Sequence, residues 1–244
     1  MNKIVKKVLS EHLDTNGKII VPENFTKVKI DVGLSINAPH PELWLSSDKS
    51  GDLCVFGFEP NTYSIEFIKK GVEKNIHPIH LDPSRINKTF FIFNTALSDG
   101  NPRYAEFYCT EGDPGTSSLF KPRWDTYRHV VHDNINVPVI TLKHFFDVFP
   151  WDRIPYIEQL KTDTQGSDFE VIKGCGDYLS EKVVYLDVEP TTKDEYDKEC
   201  DPQAFHEYVL GCGFECIAYS GNVSYYNKRY SNILDSINYQ FLDS

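Results

Sequence analysis

Carboxylate, amide and hydroxyl side chains follow almost every apolar run of this 244-residue chain. Such groups bind polar ligands through hydrogen bonds, and carboxylates can also accept protons from them. Turns need the same residue types, so turn formation alone explains any one position as easily. Their recurrence after five successive runs predicts a site for a polar ligand, formed by Asp31-Val32-Gly33, Glu59-Pro60-Asn61, Asn94 to Asp99, Lys161 to Gly166 and Asp187-Val188-Glu189.

Glu59 is the sharpest single candidate for a ligand contact. It follows Gly33 by one predicted strand, where nucleotide-binding sheets place the acid that accepts hydrogen bonds from a ribose diol. Gly33 stands alone, whereas a dinucleotide site would show the pattern G-x-G-x-x-G around it. A cofactor with a ribose and no phosphate therefore fits better, and an NAD-type oxidoreductase is the alternative enzyme.

Asp163 is the first candidate for a reaction centre, because it stands at the end of the predicted fourth strand. A carboxylate here could act on a hydroxyl group or simply cap the following turn. Lys161 is two residues earlier and shares the same face of the strand, which predicts either a structural ion pair or a catalytic pair. Asp163 and Glu189 could also converge on Mg²⁺. No third ligand is evident, so a divalent metal is possible but not favoured.

His129 and His132 are alternative candidates for a catalytic base, because histidine titrates near neutral pH. Both lie close to Asp133 in a stretch that is rich in turn-forming residues. Histidines without a catalytic role are common on such surfaces, and that alternative stays open.

The elements that must position these groups alternate between apolar runs and helical stretches. Strands separated by helices imply right-handed crossovers and a mostly parallel sheet, in which ligands bind beyond the carboxyl ends of the strands. The last two strands, separated only by Ser220-Gly221-Asn222, predict an antiparallel hairpin. The predicted strands are 28–32, 53–58, 89–94, 156–162, 183–188, 214–219 and 223–227, and helices are predicted after Pro39, over 62–74, 141–150 and 169–174, and from Asp201 to Gly211.

The pattern predicts one α/β domain over residues 27–244, preceded by an N-terminal extension over residues 1–26. Between about 103 and 140 it changes to short strands separated by turns, which predicts an inserted antiparallel β flap. Aromatic residues are frequent in this flap. They suggest an alternative from another functional class, a catalytically silent module that binds a glycan or a protein through Phe107, Tyr108, Phe120, Trp124 and Tyr127.

The charge balance excludes some partners. With 25 Lys and Arg against 36 Asp and Glu, the formal net charge of −11 repels nucleic acid and anionic membranes. No run approaches the ~20 apolar residues that span a bilayer, and the N-terminus lacks the apolar block of a signal peptide. We therefore expect a cytoplasmic protein whose six scattered cysteines are free thiols. The oligomeric state is not predicted.

Several of these segments together resemble the FkbM-type methyltransferases. The resemblance is carried by Asp31-Val32-Gly33, Phe58-Glu59-Pro60, Asn94 to Ser98 and above all by the segments LKTDTQG (160–166) and DFEVIKG (168–174). It extends over roughly residues 27–213. It implies a Rossmann-like class I methyltransferase fold, with a mostly parallel seven-stranded sheet and helices on both faces. It also implies S-adenosylmethionine as the cofactor and O-methylation of sugars or other hydroxylated metabolites.

The resemblance implies where the cofactor would lie. Glu59 would hold the ribose, with Asn61 beside it, and Gly33 would let the chain pass close to the cofactor. Ser98 and Asp99 would border the adenine.

The chain departs from the family pattern at two places. The family usually carries a second glycine soon after the first, whereas this chain has Ser35 and Asn37, either of which would hold the methionine end of the cofactor. Asp31 would orient that end directly or through water. The family's common Glu-Gly after the fourth-strand aspartate is Gln165-Gly166 here. The expected activity is methyl transfer to a hydroxyl group of a small molecule or saccharide, with Asp163 at the reaction centre.

Overall fold

The computed structural model describes residues 1–71, 78–111, 113–123, 130–189, 195–198, 201–220 and 222–240. Within these residues the strands are β1 (Lys27–Val32), β2 (Leu53–Phe58), β3 (Phe90–Phe93), β4 (Ala96–Leu97), β5 (Arg103–Thr110), β6 (Val131–Ile140), β7 (Ile157–Thr162), β8 (Val183–Val188), β9 (Phe214–Ser220) and β10 (Asn222–Asn227). The helices are α1 (Lys3–Leu9), α2 (Pro39–Ser47), α3 (Thr62–Lys70), α4 (Leu142–Phe146), α5 (Asp168–Lys173), α6 (Tyr178–Lys182) and α7 (Pro202–Gly211).

Seven of these strands form one sheet in the order β3-β2-β1-β7-β8-β10-β9. The first five strands in that order are parallel to one another, and β10 is antiparallel to both β8 and β9. This confirms the predicted α/β fold of the class I methyltransferase type, with a mostly parallel sheet closed by a C-terminal hairpin. The chain runs outward from β1 to β3 and then returns to β7 on the other side of β1. The boundary between β1 and β7 is therefore the topological switch point of the sheet.

The two faces of the central strands have opposite chemical character. Side chains alternate along a strand, so the even-numbered residues of β1 and β7 share one face and the odd-numbered residues share the other. Most even-numbered residues are buried in the main apolar core, namely Val28, Ile30, Val32 and Leu160, with Glu158 and Thr162 as polar exceptions. The odd-numbered face is buried but mainly polar where it carries Lys29, Asp31, Gln159 and Lys161, and Asp187 of β8 continues it.

A C-terminal strap, residues 237–240, covers part of this polar face. The backbone carbonyl of Asn238 accepts a hydrogen bond from the Lys29 ammonium at 2.7 Å. The carbonyl of Gln240 accepts one from the Gln159 amide, also at 2.7 Å. Backbone acceptors of the strap thus give these buried donors a further partner besides the side chains of the sheet.

The flap is a separate three-stranded sheet of order β4-β6-β5. Its strands β5 and β6 form a long antiparallel hairpin, with an irregularity after Cys109. The sequence pattern predicted shorter strands here. The observed strands are longer because Asp133 and Asn134, which suggested a turn, instead pair with Cys109 and Tyr108 across the hairpin.

Residues that precede β1 also contribute to the main core. The helix α1 buries Val5 and Leu9, and the segment that follows it buries Ile19, Val21 and Phe25. The side chain of Asn2 caps α1 by accepting the N–H of Ile4 at 2.8 Å. Residues 1–26 therefore pack on the domain that begins at β1.

Five cysteines in the described ranges are free thiols, namely Cys54, Cys109, Cys175, Cys212 and Cys216, while Cys200 lies outside those ranges. The described helices include none that is both long enough and apolar enough to cross a membrane.

Candidate active site

A cleft opens beyond the carboxyl ends of β1, β2 and β7. This is the edge at which open parallel sheets bind their ligands, and it includes the switch point between β1 and β7. The flap forms the opposite wall. The cleft is lined by Val32, Gly33, Ser35, Phe58, Glu59, Pro60, Thr95, Ala96, Leu97, Phe107, Pro114, Gly115, Ser117, Leu119, Asp163, Thr164 and Ser167.

Backbone hydrogen bonds beyond the strands keep their ends aligned. The N–H of Asp163 donates to the carbonyl of Val32 at 2.9 Å, and the N–H of Glu189 donates to the carbonyl of Thr162 at 3.1 Å. The residues after β7 and β8 therefore continue the register of the sheet. This alignment brings the side chains of Asp163 and Glu189 together.

Glycine is required at position 33 because the main chain after β1 lies very close to the main chain after β7. Its φ is +84°, and a Cβ at this position would lie 1.8 Å from the carbonyl oxygen of Asp163. No other residue fits there, because every other side chain has a Cβ. The resemblance implied that Gly33 lets the chain approach the cofactor. Gly33 does line the cleft, but its tightest contact is with the main chain of Asp163.

Glu59 lines the cleft and is held in place by backbone donors. Its Oε1 accepts the N–H of Asn61 at 2.8 Å, and its Oε2 accepts the N–H of Leu34 at 3.1 Å. Burial raises the pKa of Glu59 to about 7, although these two donors favour the ionised form. Each carboxylate oxygen has a second lone pair, so Glu59 can still accept hydrogen bonds from the hydroxyl groups of a ligand.

Lys161 lies between two carboxylates at the end of β7. Its ammonium is 3.5 Å from Asp31 Oδ1 and 3.4 Å from Asp163 Oδ2. Burial by itself would lower the pKa of Lys161, but the charges of Asp31, Asp163 and Glu189 outweigh that effect and raise it. Lys161 and Asp163 are therefore an ion pair, and the contact is compatible with both the structural and the catalytic role that the spacing left open.

Asp31 is fully buried and poorly satisfied. Apart from the ion pair with Lys161, neither of its oxygens has a hydrogen-bond partner in the described residues. Burial raises the pKa of Asp31 to about 6, although the charge of Lys161 opposes that shift. Buried carboxylates without donors are rare in folded proteins and are concentrated at functional sites.

Asp163 and Glu189 form a hydrogen-bonded carboxyl pair. Burial opposes the ionisation of Asp163, but the ammonium of Lys161 and the amide of Gln165 together hold the pKa of Asp163 below its usual range. Burial and the charge of Asp163 raise the pKa of Glu189 to about 7. Of the two carboxyl groups, Asp163 is therefore the more easily ionised, and Glu189 holds a proton to higher pH. Such a pair can accept a proton from a hydroxyl group beside it.

Ser98 and Asp99 do not line the cleft. Arg103 donates a hydrogen bond to Ser98 Oγ at 3.3 Å, and the carboxylate of Asp99 is 3.3 Å from the ammonium of Lys173. The N–H of Ser98 donates to the carbonyl of Ile140, which extends the pairing of β4 with β6. This pairing turns Ser98 and Asp99 away, and the three preceding residues, 95–97, form the wall of the cleft instead.

The three remaining residues of the implied cofactor site occupy different environments. Ser35 lines the cleft with a φ of +55°. The amide of Asn37 donates to the carbonyl of Ile79 at 3.0 Å, outside the cleft lining. Asn61 caps α3 by accepting the N–H of Tyr63 at 3.0 Å. Asn37 and Asn61 thus have local structural partners, whereas Ser35 faces the candidate ligand site.

The histidines and aromatic residues of the flap are only partly described. His132 is exposed on β6 in a shallow depression formed by residues 131–134, which is separate from the cleft. His129, Trp124 and Tyr127 lie outside the described residues. Phe107 lines the cleft, and Tyr108 donates a hydrogen bond to Glu106. The structure therefore brings His132 to the surface of the flap and Asp163 to the cleft.

Two further titratable residues near Asp163 were not singled out from the sequence. The imidazole of His40 in α2 has no hydrogen-bond partner within the described ranges, and burial together with the charge of Lys161 lowers its pKa to about 3. Asp168 at the start of α5 accepts the N–H of Thr164 at 3.0 Å, and burial raises its pKa to about 7. The flanking prolines predicted a helix start at His40, but nothing local indicated that its ring would lie near Lys161.

The convergence of Asp163 and Glu189 is the geometry on which the metal hypothesis depended. Within the described parts of the chain, no three His, Cys, Asp or Glu side chains are arranged to hold a metal ion. The pair is instead hydrogen-bonded internally and lies close to the charge of Lys161.

Comparisons with known proteins identify the family. A model of the FkbM methyltransferase domain matches residues 31–216. Among solved structures, the chain is similar to a protein described as methyltransferase FkbM from Methylobacillus flagellatus KT, with 14% sequence identity and a TM-score of 0.46. That match covers 92% of this chain and 48% of the other, so this chain spans about half the length of that protein. No curated protein sequence matched the chain. Because the family model covers most of its length, the chain belongs to the FkbM methyltransferase domain family.

Proposed function

We propose that this chain uses S-adenosylmethionine to methylate a hydroxyl oxygen of a small molecule or saccharide. Membership of the FkbM family supports methyl transfer and the use of this cofactor. The observation that carries the finer proposal is the hydrogen-bonded pair of Asp163 and Glu189 at the switch point of the sheet. Methylation of a hydroxyl group needs a proton acceptor beside the attacking oxygen, and this pair provides one.

The residues around the cleft fit S-adenosylmethionine. Glu59 keeps lone pairs for the two ribose hydroxyls, and Phe58, Leu97 and Phe107 provide apolar surface for an adenine ring. Asp31 lies outside the cleft lining, next to Val32, and apart from its ion pair with Lys161 its buried oxygens have no hydrogen-bond partner among the described residues, which suits the ammonium group of the methionine part. When bound, the cofactor supplies an electrophilic methyl group on a cationic sulphur, and carboxylates near the cleft favour such a cation.

The chain's own residues would orient the acceptor and remove its proton. Lys161 keeps Asp163 ionised, so that the carboxylate can accept a hydrogen bond from the acceptor hydroxyl. The Asp163–Glu189 pair would take up the proton that the acceptor hydroxyl loses on methylation, and the cofactor would leave as the uncharged thioether S-adenosylhomocysteine. The flap and the strand ends enclose the cleft, and alignment of the reacting atoms in such a site can contribute several kcal/mol to catalysis.

The local charge favours an uncharged acceptor. Asp31, Asp163 and Glu189 lie around the single ammonium of Lys161, and the neighbouring Asp168 adds a fourth carboxyl group. The raised pKa values of Asp31, Glu189 and Asp168 reflect burial and, as a second cause, mutual repulsion. A phosphate or carboxylate on the acceptor would meet the same repulsion, whereas the hydroxyl groups of a neutral sugar would not.

Transfer of labelled methyl groups tests this proposal. The chain is incubated with labelled S-adenosylmethionine and a panel of neutral and acidic hydroxylated compounds, and the products are analysed by mass spectrometry and NMR. We expect the label in a methyl ether of a neutral acceptor. A label on nitrogen or carbon would contradict O-methylation. Tight cofactor binding without methylation of any hydroxyl acceptor would favour the catalytically silent binding module.

A further inference from the structure

The side chain of Gln165 connects the candidate base to the flap. Its Nε2 donates to Asp163 Oδ1 at 2.7 Å, and its Oε1 lies 3.1 Å from the hydroxyl of Tyr196. The same hydroxyl is 2.8 Å from the carbonyl oxygen of Thr116 in the flap. Both of those oxygens can only accept, so Tyr196 is the donor and its one hydrogen is shared between them.

These contacts fix which end of the Gln165 amide faces Asp163. A glutamine amide can be turned by half a rotation without changing its shape, so its orientation follows from its partners. The amide oxygen belongs beside the donor Tyr196, and the N–H group belongs beside the ionised Asp163. The opposite orientation would place the amide oxygen against a carboxylate oxygen of Asp163 and lose that hydrogen bond, although the amide nitrogen could then donate to the Tyr196 hydroxyl.

The backbone around Gln165 is also held by the flap. Gln165 has a φ of +56°, which is uncommon for a residue with a side chain. Its carbonyl accepts a hydrogen bond from Ser118 Oγ at 2.7 Å, and Ser118 is fully buried. The next residue, Gly166, packs beneath the rings of Phe120 and Tyr196, which lie 3.3 and 3.4 Å from the position of a Cβ. The turn that carries Gln165 is therefore clamped from the flap side.

The flap segment that clamps Gln165 also forms the wall of the cleft. Ser117 and Leu119 line the cleft, whereas Ser118 between them bonds to Gln165. Ser118 is in turn fixed to β5 by backbone hydrogen bonds with Tyr108 at 2.8 and 3.1 Å. One short segment thus contacts both the candidate cofactor site and the support of the candidate base.

From these contacts we infer that Gln165 is a positioning residue, which sets the direction and ionisation of the Asp163 carboxylate. Tyr196 and the flap residue Ser118 hold Gln165 in the position that this role requires. The catalytic meaning of this inference rests on the proposed methyl transfer, but the effect on Asp163 does not. A donor to an ionised carboxylate stabilises that ionised form. Loss of the Gln165 donor should therefore raise the pKa of Asp163, and a carboxylate in its place should raise it further.

A carboxyl-carbon NMR titration of Asp163 measures this effect without any acceptor. The signal is assigned by its loss in Asp163→Asn, and the wild type is compared with Gln165→Met and Gln165→Glu. We expect the midpoint to rise in that order, by about one pH unit or more for Gln165→Glu. Gln203→Met is the matched control, because Gln203 is exposed and its side-chain amide donates to Glu207 of the same helix, α7. It should leave the midpoint unchanged.

Tyr196→Phe provides a second variant that keeps the inference testable if the Gln165 variants fail to fold. It removes the hydroxyl that orients the amide, so we expect an upward shift smaller than that of Gln165→Met. A folded Gln165 variant or Tyr196→Phe protein with the wild-type midpoint would overturn the inference.

Kinetics separate this inference from the proposed function. Once a methyl acceptor has been identified, kcat can be measured as a function of pH. In the Gln165 variants the rising limb of that profile should move to higher pH, while KM for the cofactor stays the same. A shifted Asp163 titration in a protein that methylates no hydroxyl would support the inference and contradict the proposed function. An unshifted titration in an active enzyme would contradict the inference alone.

Discussion

Two rows of buried polar side chains lie on the same face of the sheet, two residues apart along the strands. The strap row consists of Lys29, Gln159 and Asp187, and the C-terminal strap covers it. The strand-end row consists of Asp31, Lys161 and Glu189, and it lies at the edge where the cleft opens. Five of the six side chains are buried, Glu189 is half-buried, and the two rows are similar in residue type, so burial alone does not distinguish them.

The rows differ in how completely their polar atoms are paired. In the strap row, Lys29 Nζ donates to Gln159 Oε1 at 2.9 Å, and Gln159 Nε2 donates to Asp187 Oδ2 at 2.6 Å. Tyr239 of the strap and Ser224 of β10 both donate to Asp187 Oδ1 at 2.6 Å. In the strand-end row, by contrast, the described residues offer Asp31 only the ion pair with Lys161 at 3.5 Å.

This difference in hydrogen bonding indicates a structural role for the strap row and a functional role for the strand-end row. A fully paired buried network stabilises one arrangement of the chain, whereas unpaired buried groups cost stability and persist where a ligand needs them. The strap row should therefore determine the free energy of unfolding. The strand-end row, with Asp163 beside it, should determine binding and turnover.

Asp163→Asn is the variant with the largest expected effect. Asparagine keeps the shape and most of the hydrogen bonds but removes the charge that accepts the proton, so kcat should fall ~10²-fold or more with little change in cofactor affinity. Steady-state methyl transfer and calorimetry measure the two quantities. If Asp163 only caps the turn, kcat and cofactor affinity should both stay near their wild-type values, because asparagine caps equally well. Loss of activity on chelation, with Glu189→Gln as damaging as Asp163→Asn, would instead indicate a metal ion.

The same substitution in the strap row, Asp187→Asn, is the matched control. It replaces an acceptor of three side-chain hydrogen bonds by an amide, which should lower the free energy of unfolding. The kcat of the folded fraction should remain near that of the wild type. A loss of kcat as large as that of Asp163→Asn would mean that the two rows do not have separate roles.

Tyr239→Phe removes a single donor from the strap row. It leaves Asp187 with two of its side-chain partners, so we expect the free energy of unfolding to fall by about 1 to 2 kcal/mol in urea titrations. Tyr226→Phe on β10 is the control, because the Tyr226 hydroxyl bonds to Glu215 at the surface and its loss should matter little. Equal stability of the Tyr239→Phe and wild-type proteins would contradict the stabilising role of the strap.

The dependence of stability on pH should reveal the cost of the buried acid in the cleft. The pKa of Glu59 is raised from its ordinary 4.5 to about 7 in the folded protein, chiefly by burial. Between those values the folded protein retains a proton that the unfolded chain loses, so the free energy of unfolding falls as pH rises through that interval. Glu59→Gln should reduce the loss between about pH 5 and about pH 7.5 by at least ~1 kcal/mol. An unchanged loss would show that burial does not perturb Glu59.

The sequence was sufficient to predict the parallel strands and the groups at their ends. The apolar runs that became β1, β2, β7 and β8 were found from composition and turn signals, and the closing hairpin from its turn. Glu59 and Asp163 could be chosen because a parallel sheet places the residues after its strands at one edge. These predictions depend on local pattern and topology, which sequence carries well.

Contacts between segments that are distant in the chain could not be predicted from the sequence. The reason for glycine at position 33 is the carbonyl of Asp163, which comes from another strand. The clamp on Gln165 comes from Ser118 and Tyr196, far away in the chain. The pairing of β4 with β6 placed residues 95–97 rather than Ser98 and Asp99 along the cleft. Each of these facts requires the relative placement of elements, which periodicity and turn residues do not specify.

The most direct test of the central claim is a calorimetric titration with S-adenosylhomocysteine of the wild type, Glu59→Ala and Tyr239→Phe. If the cleft binds the cofactor and the strap row only stabilises the fold, the wild type and Tyr239→Phe should bind with the same affinity. Glu59→Ala should bind more weakly by at least ~1 kcal/mol, because charge-assisted hydrogen bonds to the ribose are lost. Wild-type affinity in Glu59→Ala, or no binding by the wild type, would contradict the account.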